Sequence, residues 1–400
     1  MKIVMICEFF NESLEYQENL LAKYYVKHGH DVTIITSTFD AVFDYYNNRH
    51  DAKAPARTYS HDGAKIIKLR YRYNLMYKLR AYMPIKGILE AEKPDLIFVH
   101  DIIPNMTEAA TYVRKHPRCK MIIDYHADYS NSGKGWISIK ILHGLLRRWF
   151  LDRARPYTEM IFPIVPAGAT FLHEVYGVPH AEMKLMPLGT DLDFAKEVQA
   201  SNARAELRAE LAAGPGEFVI FTGGKFCPLK QTEKLIEAVR QLDRSDIHLV
   251  IVGAATTEEE SYGAMLKETA AGAPNIHFRG WQDKLGVYRH LAASDMAIFP
   301  ASQSVLWQQA IGMGLPLAVS ERSSLLRGHQ DVSYMNMHGN IAILDHQSPL
   351  IEQMILLVAD LADNPGKREV MAQGARRTAE ETLNYDKLVS QTLQYNLAAS

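Results

Sequence analysis

Short runs of β-branched and other apolar residues alternate along the chain with stretches whose apolar positions recur at helical spacing. IVMIC (3–7), VTIIT (32–36), DLIFVH (95–100) and MIIDYH (121–126) are apolar without alternation and stop at polar residues, the pattern of parallel strands buried on both faces. Between the first two, ENLLAKYYVKHGH has a helical period and closes through Gly29, which predicts a βαβ unit. A second series follows in FVIFTGG (218–224), HLVIVG (248–253), NIHFRG (275–280), DMAIFP (295–300), PLAVS (316–320) and IAILD (341–345), each parted from the next by a helical segment. The pattern predicts an α/β protein with two Rossmann-like, doubly wound domains, residues 1–190 and 191–384. PLGTDLDF (187–194) marks the crossing, and a long last helix over about 366–398 folds back so that about 385–400 joins the first domain. Open α/β sheets bind ligands outside the carboxyl ends of their strands, so two such domains facing across a cleft should place a site there.

Composition sharpens this division. The 400 residues are 47% apolar and 22% charged with a net charge of −2, which excludes a disordered or disulfide-stapled chain. Residues 1–190 hold 25 Lys and Arg against 20 Asp and Glu, a net +5, which leaves −7 for the remainder; 15 of the 20 tyrosines share that first part. The first domain thus suits an anionic or interfacial partner. Cys7, Cys119 and Cys227 have no metal-site spacing and predict free thiols in a reducing cytoplasm. Glu8 interrupts the first apolar run before a signal peptide can form, and the weakly polar stretch 160–172 is too short to span a bilayer, so a cytoplasmic location is expected.

Three stretches carry candidate chemistry. In TGGKFCPLKQTEKLIEA (222–238), a strand ends at Gly223 and Gly224, Lys225 and Lys230 flank the turn, and a helix follows: a diphosphate cradle, or else solvated lysines on a surface turn. It is not a Walker A loop, since G-x-x-x-x-G-K-[ST] is absent. In DMAIFPASQSVLWQQAIGMGLPLAVS (295–320), Ser302 and Ser304 offer capping chemistry to a short helix, which reads as a second anion site or an ordinary connection. The third is basic and aromatic. Residues 63–89 hold seven Lys and Arg and no acid, interleaved with Tyr71, Tyr73, Tyr77 and Tyr82. Residues 129–151 hold Lys134, Lys140, Arg147 and Arg148 beside Trp136 and Trp149. Such segments suit the headgroup layer of an anionic membrane, each basic residue contributing about 1 kcal/mol, or form a solvated face. Nucleic acid is the weakest of the three readings, since no nucleic-acid motif accompanies them.

In this order the stretches resemble the retaining glycosyltransferases of the GT-B fold, in the large family 4-like group that uses nucleotide-sugar donors. Gly224-Lys225 with Lys230 stands where that family has Gly-Arg and Lys, and Pro187, Gly189 and Asp191 match its interdomain phrase. GHDVTIIT (29–36), KPDLIFVHD (93–101), NIHFRGW (275–281) and QAIGMGLP (309–316) match four further motifs, so the similarity spans nearly the whole chain. It implies a metal-independent, retaining transferase without a cofactor, moving sugar from a nucleoside diphosphate sugar, UDP before GDP, to a hydroxyl of a glycan or lipid-linked acceptor. A role in bacterial surface polysaccharide or lipopolysaccharide synthesis follows, peripherally on the inner membrane surface. Lys225, Lys230 and His126 are the implied catalytic residues. Gly223, Gly224, Arg279, Gly280, Gln303, Ser304, Val305, Leu306 and Gln309 are the implied donor-binding ones, and Tyr16, Gln17 and Asp128 the implied acceptor side. His126 ends a predicted strand, where a histidine is either structural or a contact to the donor sugar; His100 and Asp101 are a second choice.

The sequence also departs from the family pattern. Of the paired carboxylates seven residues apart, the first is replaced by Ala301 and the second by Gln309, whose amide still offers a donor and an acceptor to a ribose. FFNESLEYQEN (9–19) replaces the usual glycine-rich loop. Asp191-Leu192-Asp193 resembles a D-x-D metal motif but lies in the interdomain phrase, where a structural role is expected. A nucleotide-sugar epimerase and a non-catalytic partner of the same fold are the alternatives.

Overall fold

The computed structural model describes residues 1–12, 16–39, 55–75, 79–133, 135–301, 303–320 and 331–397. The chain divides into two units, Met1–Pro187 with Tyr385–Ser400, and Leu188–Asn384.

The strands of the first unit are β1 (Lys2–Ile6), β2 (Asp31–Ser37), β3 (Arg57–His61), β4 (Ala64–Leu69), β5 (Tyr71–Leu75), β6 (Leu79–Tyr82), β7 (Leu96–His100), β8 (Lys120–Tyr125) and β9 (Met160–Pro163). Seven of them form one sheet in the order β3-β4-β2-β1-β7-β8-β9, parallel except for β3, while β5 and β6 pair as a separate hairpin. Val4, Met5, Ile6, Phe98, Val99 and Ile122 are buried because helices cover both faces, which is why these strands lack alternation.

The second unit holds β10 (Phe218–Gly223), β11 (Ile247–Val252), β12 (Ile276–Phe278), β13 (Met296–Phe299), β14 (Leu317–Val319) and β15 (Ile341–Ile343) in an all-parallel sheet of order β12-β11-β10-β13-β14-β15. The order reverses between β1 and β7 in one sheet and between β10 and β13 in the other. Each reversal opens a crevice beyond the carboxyl ends of its strands, the place where such folds take ligands.

Strands β3 to β6 and β9 escape the sequence pattern. β9 is four residues ending in Pro163, and β4 holds a lysine at an inward position. That lysine, Lys68, is fully buried. Its ammonium donates to the carbonyl of Phe10 (3.0 Å) and lies 3.7 Å from Glu12. Arg80, also buried, is paired with Glu8. The run 63–89 is therefore not one solvated basic face. Two of its seven basic residues, Lys68 and Arg80, hold the segment after β1 in place.

The expected single helix over about 366–398 is broken. Pro365–Thr378 continues into a wide turn, Ala379–Leu383, and then stops at Asn384, which bridges Thr190. Only the next helix, Tyr385–Leu397, belongs to the first unit. It docks on Gln17–Lys27 through the Tyr24–Tyr385 ring pair and a buried bond between the hydroxyls of Tyr25 and Thr392 (2.6 Å).

Candidate functional site

In the second unit, the carboxyl ends of β10, β11 and β12 are joined by backbone hydrogen bonds through glycines. Gly224 N–H donates to Val252 O and Gly253 N–H to Gly280 O, both at 2.8 Å. A side chain at Gly223 would meet the carbonyl of Val252 at 2.5 Å, and one at Gly253 would overlap the carbonyl of Gly224. Gly224 and Gly253 have φ of +111° and +145°, conformations that other residues rarely adopt. The chain thus presents bare backbone at the switch between β10 and β13.

Into this turn reaches Lys230, from the short helical turn Pro228–Lys230. Its ammonium stands 3.4 Å from the point a Cβ on Gly224 would occupy, with Ser304 Oγ 3.8 Å from the same point. Burial holds its pKa below the ordinary lysine value, and no described carboxylate lies within ion-pair reach. A desolvated ammonium beside bare backbone at a strand end can receive an anion. Lys225 lies half-buried in the same turn.

Beyond β13, Ser302 lies outside the described residues, Gln303 and Val305 are exposed, and Ser304 Oγ accepts the N–H of Leu306 (3.4 Å). That N–H of the expected anion site is thus engaged by the chain itself. Leu306 approaches Gly223, and Gln309 is half-buried one turn further on. Ala301 is buried. Arg279 donates to the carbonyl of Glu210 (3.2 Å), while its Nε is buried without a described partner. Gly280 has φ +64° and open space on its Cβ side, beside the exposed ring of Trp281. Asp191 is fully buried, caps the helix Leu192–Ala200 through the N–H of Phe194, and pairs with Lys284 at 2.8 Å, so the first carboxylate of the D-x-D phrase is structural.

The first unit brings together residues that the sequence alone did not group. His126 Nε2 and His100 Nδ1 lie 2.9 and 3.0 Å from the same oxygen, Oδ2 of Asp124, and their rings are 4.3 Å apart. Oδ1 of Asp124 accepts from the N–H of Asp101 (3.1 Å), a residue held at φ +63°. Asp124 is 0% exposed. Burial alone would raise its pKa, but the two histidines outweigh it and hold the carboxyl well below the usual range. Burial would lower His100, but the charge and hydrogen bond of Asp124, then Glu18 and Asp101, push it up to about 10. Glu18, buried nearby, is raised by desolvation. Sequence reading missed Asp124 and Glu18. The only available signal was a carboxylate inside an otherwise apolar strand.

The acceptor-side candidates separate. Asp128 Oδ1 accepts from the N–H of Ser130 (2.7 Å), its hydroxyl (2.5 Å) and the N–H of Asn131 (3.0 Å), so this oxygen shapes the turn after β8. Tyr16 stands at the N-cap position of the helix Gln17–Lys27 without a side-chain capping bond, and its hydroxyl is raised by burial and by Glu18. Gln17 is buried, and neither atom of its amide has a described partner.

Comparison with known proteins follows the same two parts. Residues 19–194 match the family model described as Glycosyltransferase Family 4, and residues 217–359 the one described as Glycosyl transferases group 1. No curated protein matches the chain by sequence. Among solved structures, HepE from Anabaena in complex with UDP is similar over 100% of both chains, with a TM-score of 0.68 at 15% identity. A glycosyltransferase from Rickettsia africae is similar over 99% of this chain and 98% of its own (TM-score 0.70, 13% identity). WaaG, described as a glycosyltransferase involved in lipopolysaccharide biosynthesis, is similar over 98% of each (TM-score 0.61, 14% identity). At these identities the likeness carries the fold, and the strand orders above are that fold.

Proposed function

Because the chain is a GT-B glycosyltransferase of the family 4-like group, we propose that it moves a sugar from UDP-sugar to a hydroxyl of a glycan or lipid-linked glycan, with retention of configuration. The observation that carries this reading is the Lys230 ammonium, desolvated beside the bare turn Gly223–Gly224. As the bond from the anomeric carbon to the β-phosphate oxygen breaks, negative charge grows on the diphosphate. Lys230, Lys225 and the turn stabilise that charge without a metal ion. The new bond forms from the acceptor oxygen to the same face of the anomeric carbon, and the acceptor proton passes to the departing phosphate oxygen. The loop Arg279–Trp281 would hold the base, Gln309 the ribose, and His126 a sugar or acceptor hydroxyl.

UDP is favoured because HepE is solved with UDP and with UDP-glucose. Epimerisation is the weaker reading even though a putative UDP-N-acetylglucosamine 2-epimerase shares the fold, since an elimination needs a base and Ala301 supplies none.

The acceptor is proposed to lie at a membrane surface. The segment 136–149 exposes Trp136, Ile137, Ile141, Leu145, Leu146 and Trp149, with Lys140 and Arg148 exposed among them. Trp136 and Leu145 are 68% and 63% exposed, an apolar stripe with basic flanks of the kind that lies in a lipid interface. Of the two basic-aromatic runs this one keeps that role, since Lys68 and Arg80 of the other are buried. No described helix is long and apolar enough to cross a membrane. A melting-temperature screen against UDP-sugars, then a hydrolysis and transfer assay on those that stabilise, tests the assignment. Wild-type turnover by Lys230→Ala would sink it.

A further inference from the structure

The pair of histidines on one carboxylate fixes more than position. Oδ2 of Asp124 faces a ring nitrogen of each imidazole, at 2.9 and 3.0 Å, so each of those nitrogens must carry a proton. Neither ring has a second hydrogen bond among the described residues, which leaves Nε2 of His100 and Nδ1 of His126 uncommitted. One carboxylate balances one imidazolium. A second positive charge 4.3 Å from the first, measured between ring centres, would be repelled by it.

We infer that His100 and Asp124 form a standing ion pair that keeps His126 a neutral imidazole, with Nε2–H on Asp124 and the Nδ1 lone pair turned to a substrate hydroxyl. This rests on the proposed contact of His126 with a sugar or acceptor hydroxyl, and it makes His126 a hydrogen-bond acceptor there. Asp124 and His100 are positioning residues. The surrounding charges divide the roles in the same way. Glu18 on the helix Gln17–Lys27 reaches the cluster from one side. Asp101 follows His100 directly and has Arg147 at 4.0 Å from its carboxylate, and the buried Cys7 thiol after β1 is raised by burial, Glu18 and Asp124. His100 is the ring on which Asp124, Glu18 and Asp101 converge, and it takes the proton.

The direct test is imidazole nitrogen NMR of the intact protein at pH 7.5. His100 should show two protonated nitrogens, and His126 a single proton on Nε2. Asp124→Asn should leave His126 a mixture of tautomers. In steady-state hydrolysis of UDP-glucose, Asp124→Asn should lower kcat about 10- to 100-fold with KM within about twofold, the pattern of a lost orienting group. A spectrum with His126 protonated on Nδ1, or with His100 neutral, overturns the inference. So does binding of one Zn²⁺ or Mn²⁺ per chain at micromolar concentration that shifts both rings, which would make the three residues a metal site. Unchanged hydrolysis by His126→Ala would instead remove the catalytic contact while leaving the NMR result standing.

Discussion

Lys230 and Gly224 share one space: the ammonium of the first stands 3.4 Å from where any side chain on the second would begin. Adding a methyl group at Gly224 therefore competes with the lysine for the proposed anion site and also strains a backbone at φ +111°. We expect Lys230→Ala to lower turnover by two orders of magnitude or more, and Gly224→Ala to come close to it, while both proteins remain folded. Transfer kinetics with calorimetric titration of UDP would show this. A Gly224→Ala protein that binds UDP normally would separate the two residues.

Gly253 tests the scaffold beneath them. Its Cβ would overlap the carbonyl of Gly224 and its φ is +145°, so Gly253→Ala should cost on the order of 1–3 kcal/mol from the backbone alone. Thermal unfolding should show a lower Tm in every buffer, and UDP should no longer raise it.

The buried pair in the first unit predicts a pH dependence of stability. The pKa of His100 is raised when folded, so its contribution is complete below the unfolded value of about 6.5 and is lost as pH climbs to about 10. Asp124 is shifted the other way, and its contribution is present above about pH 4 and lost in acid. The difference in Tm between wild type and His100→Gln should be greatest at pH 4 to 6.5 and shrink toward pH 10. A difference that is flat to pH 10 would contradict the ion pair.

Trp136→Ser with Leu145→Ser should weaken sedimentation with phosphatidylglycerol vesicles about tenfold or more, since each side chain carries roughly 1.5–3 kcal/mol when fully buried in an apolar phase. Unchanged Tm would confirm that neither side chain serves the core. Equal binding by the double variant would place the interface elsewhere.

If the lysine ammonium groups meet the diphosphate as proposed, transfer should proceed unchanged in EDTA, since Asp191 is engaged by Lys284 and Phe194. Activity lost in EDTA and restored by Mg²⁺ would require a different account of the leaving group.

Much of this was legible in the chain. Both sheets were announced by apolar runs, and the Gly223–Gly224 turn by its glycines, because burial on two faces and close approach of neighbouring backbone each demand a narrow choice of residues. What stayed hidden depends on pairing between segments far apart. Lys68 and Arg80 looked solvent-facing until Glu12 and Glu8 proved to meet them. Asp124, unmarked within the run 121–126, gained a role only when His100, 24 residues earlier, turned toward it. Asn384 likewise ends a helix that local propensity would have continued, for the sake of a bridge to Thr190.

The return of Tyr385–Leu397 to the first unit has a consequence for how the protein is made. A chain leaving the ribosome completes the second unit before the first, whose closing helix follows Asn384 in the chain. Until then the faces of Tyr24 and Tyr25 that meet Tyr385 and Thr392 lie uncovered. The first unit, with its paired histidines, is thus committed late, and a chain stopped short of residue 385 would carry a finished second unit and an unfinished first one.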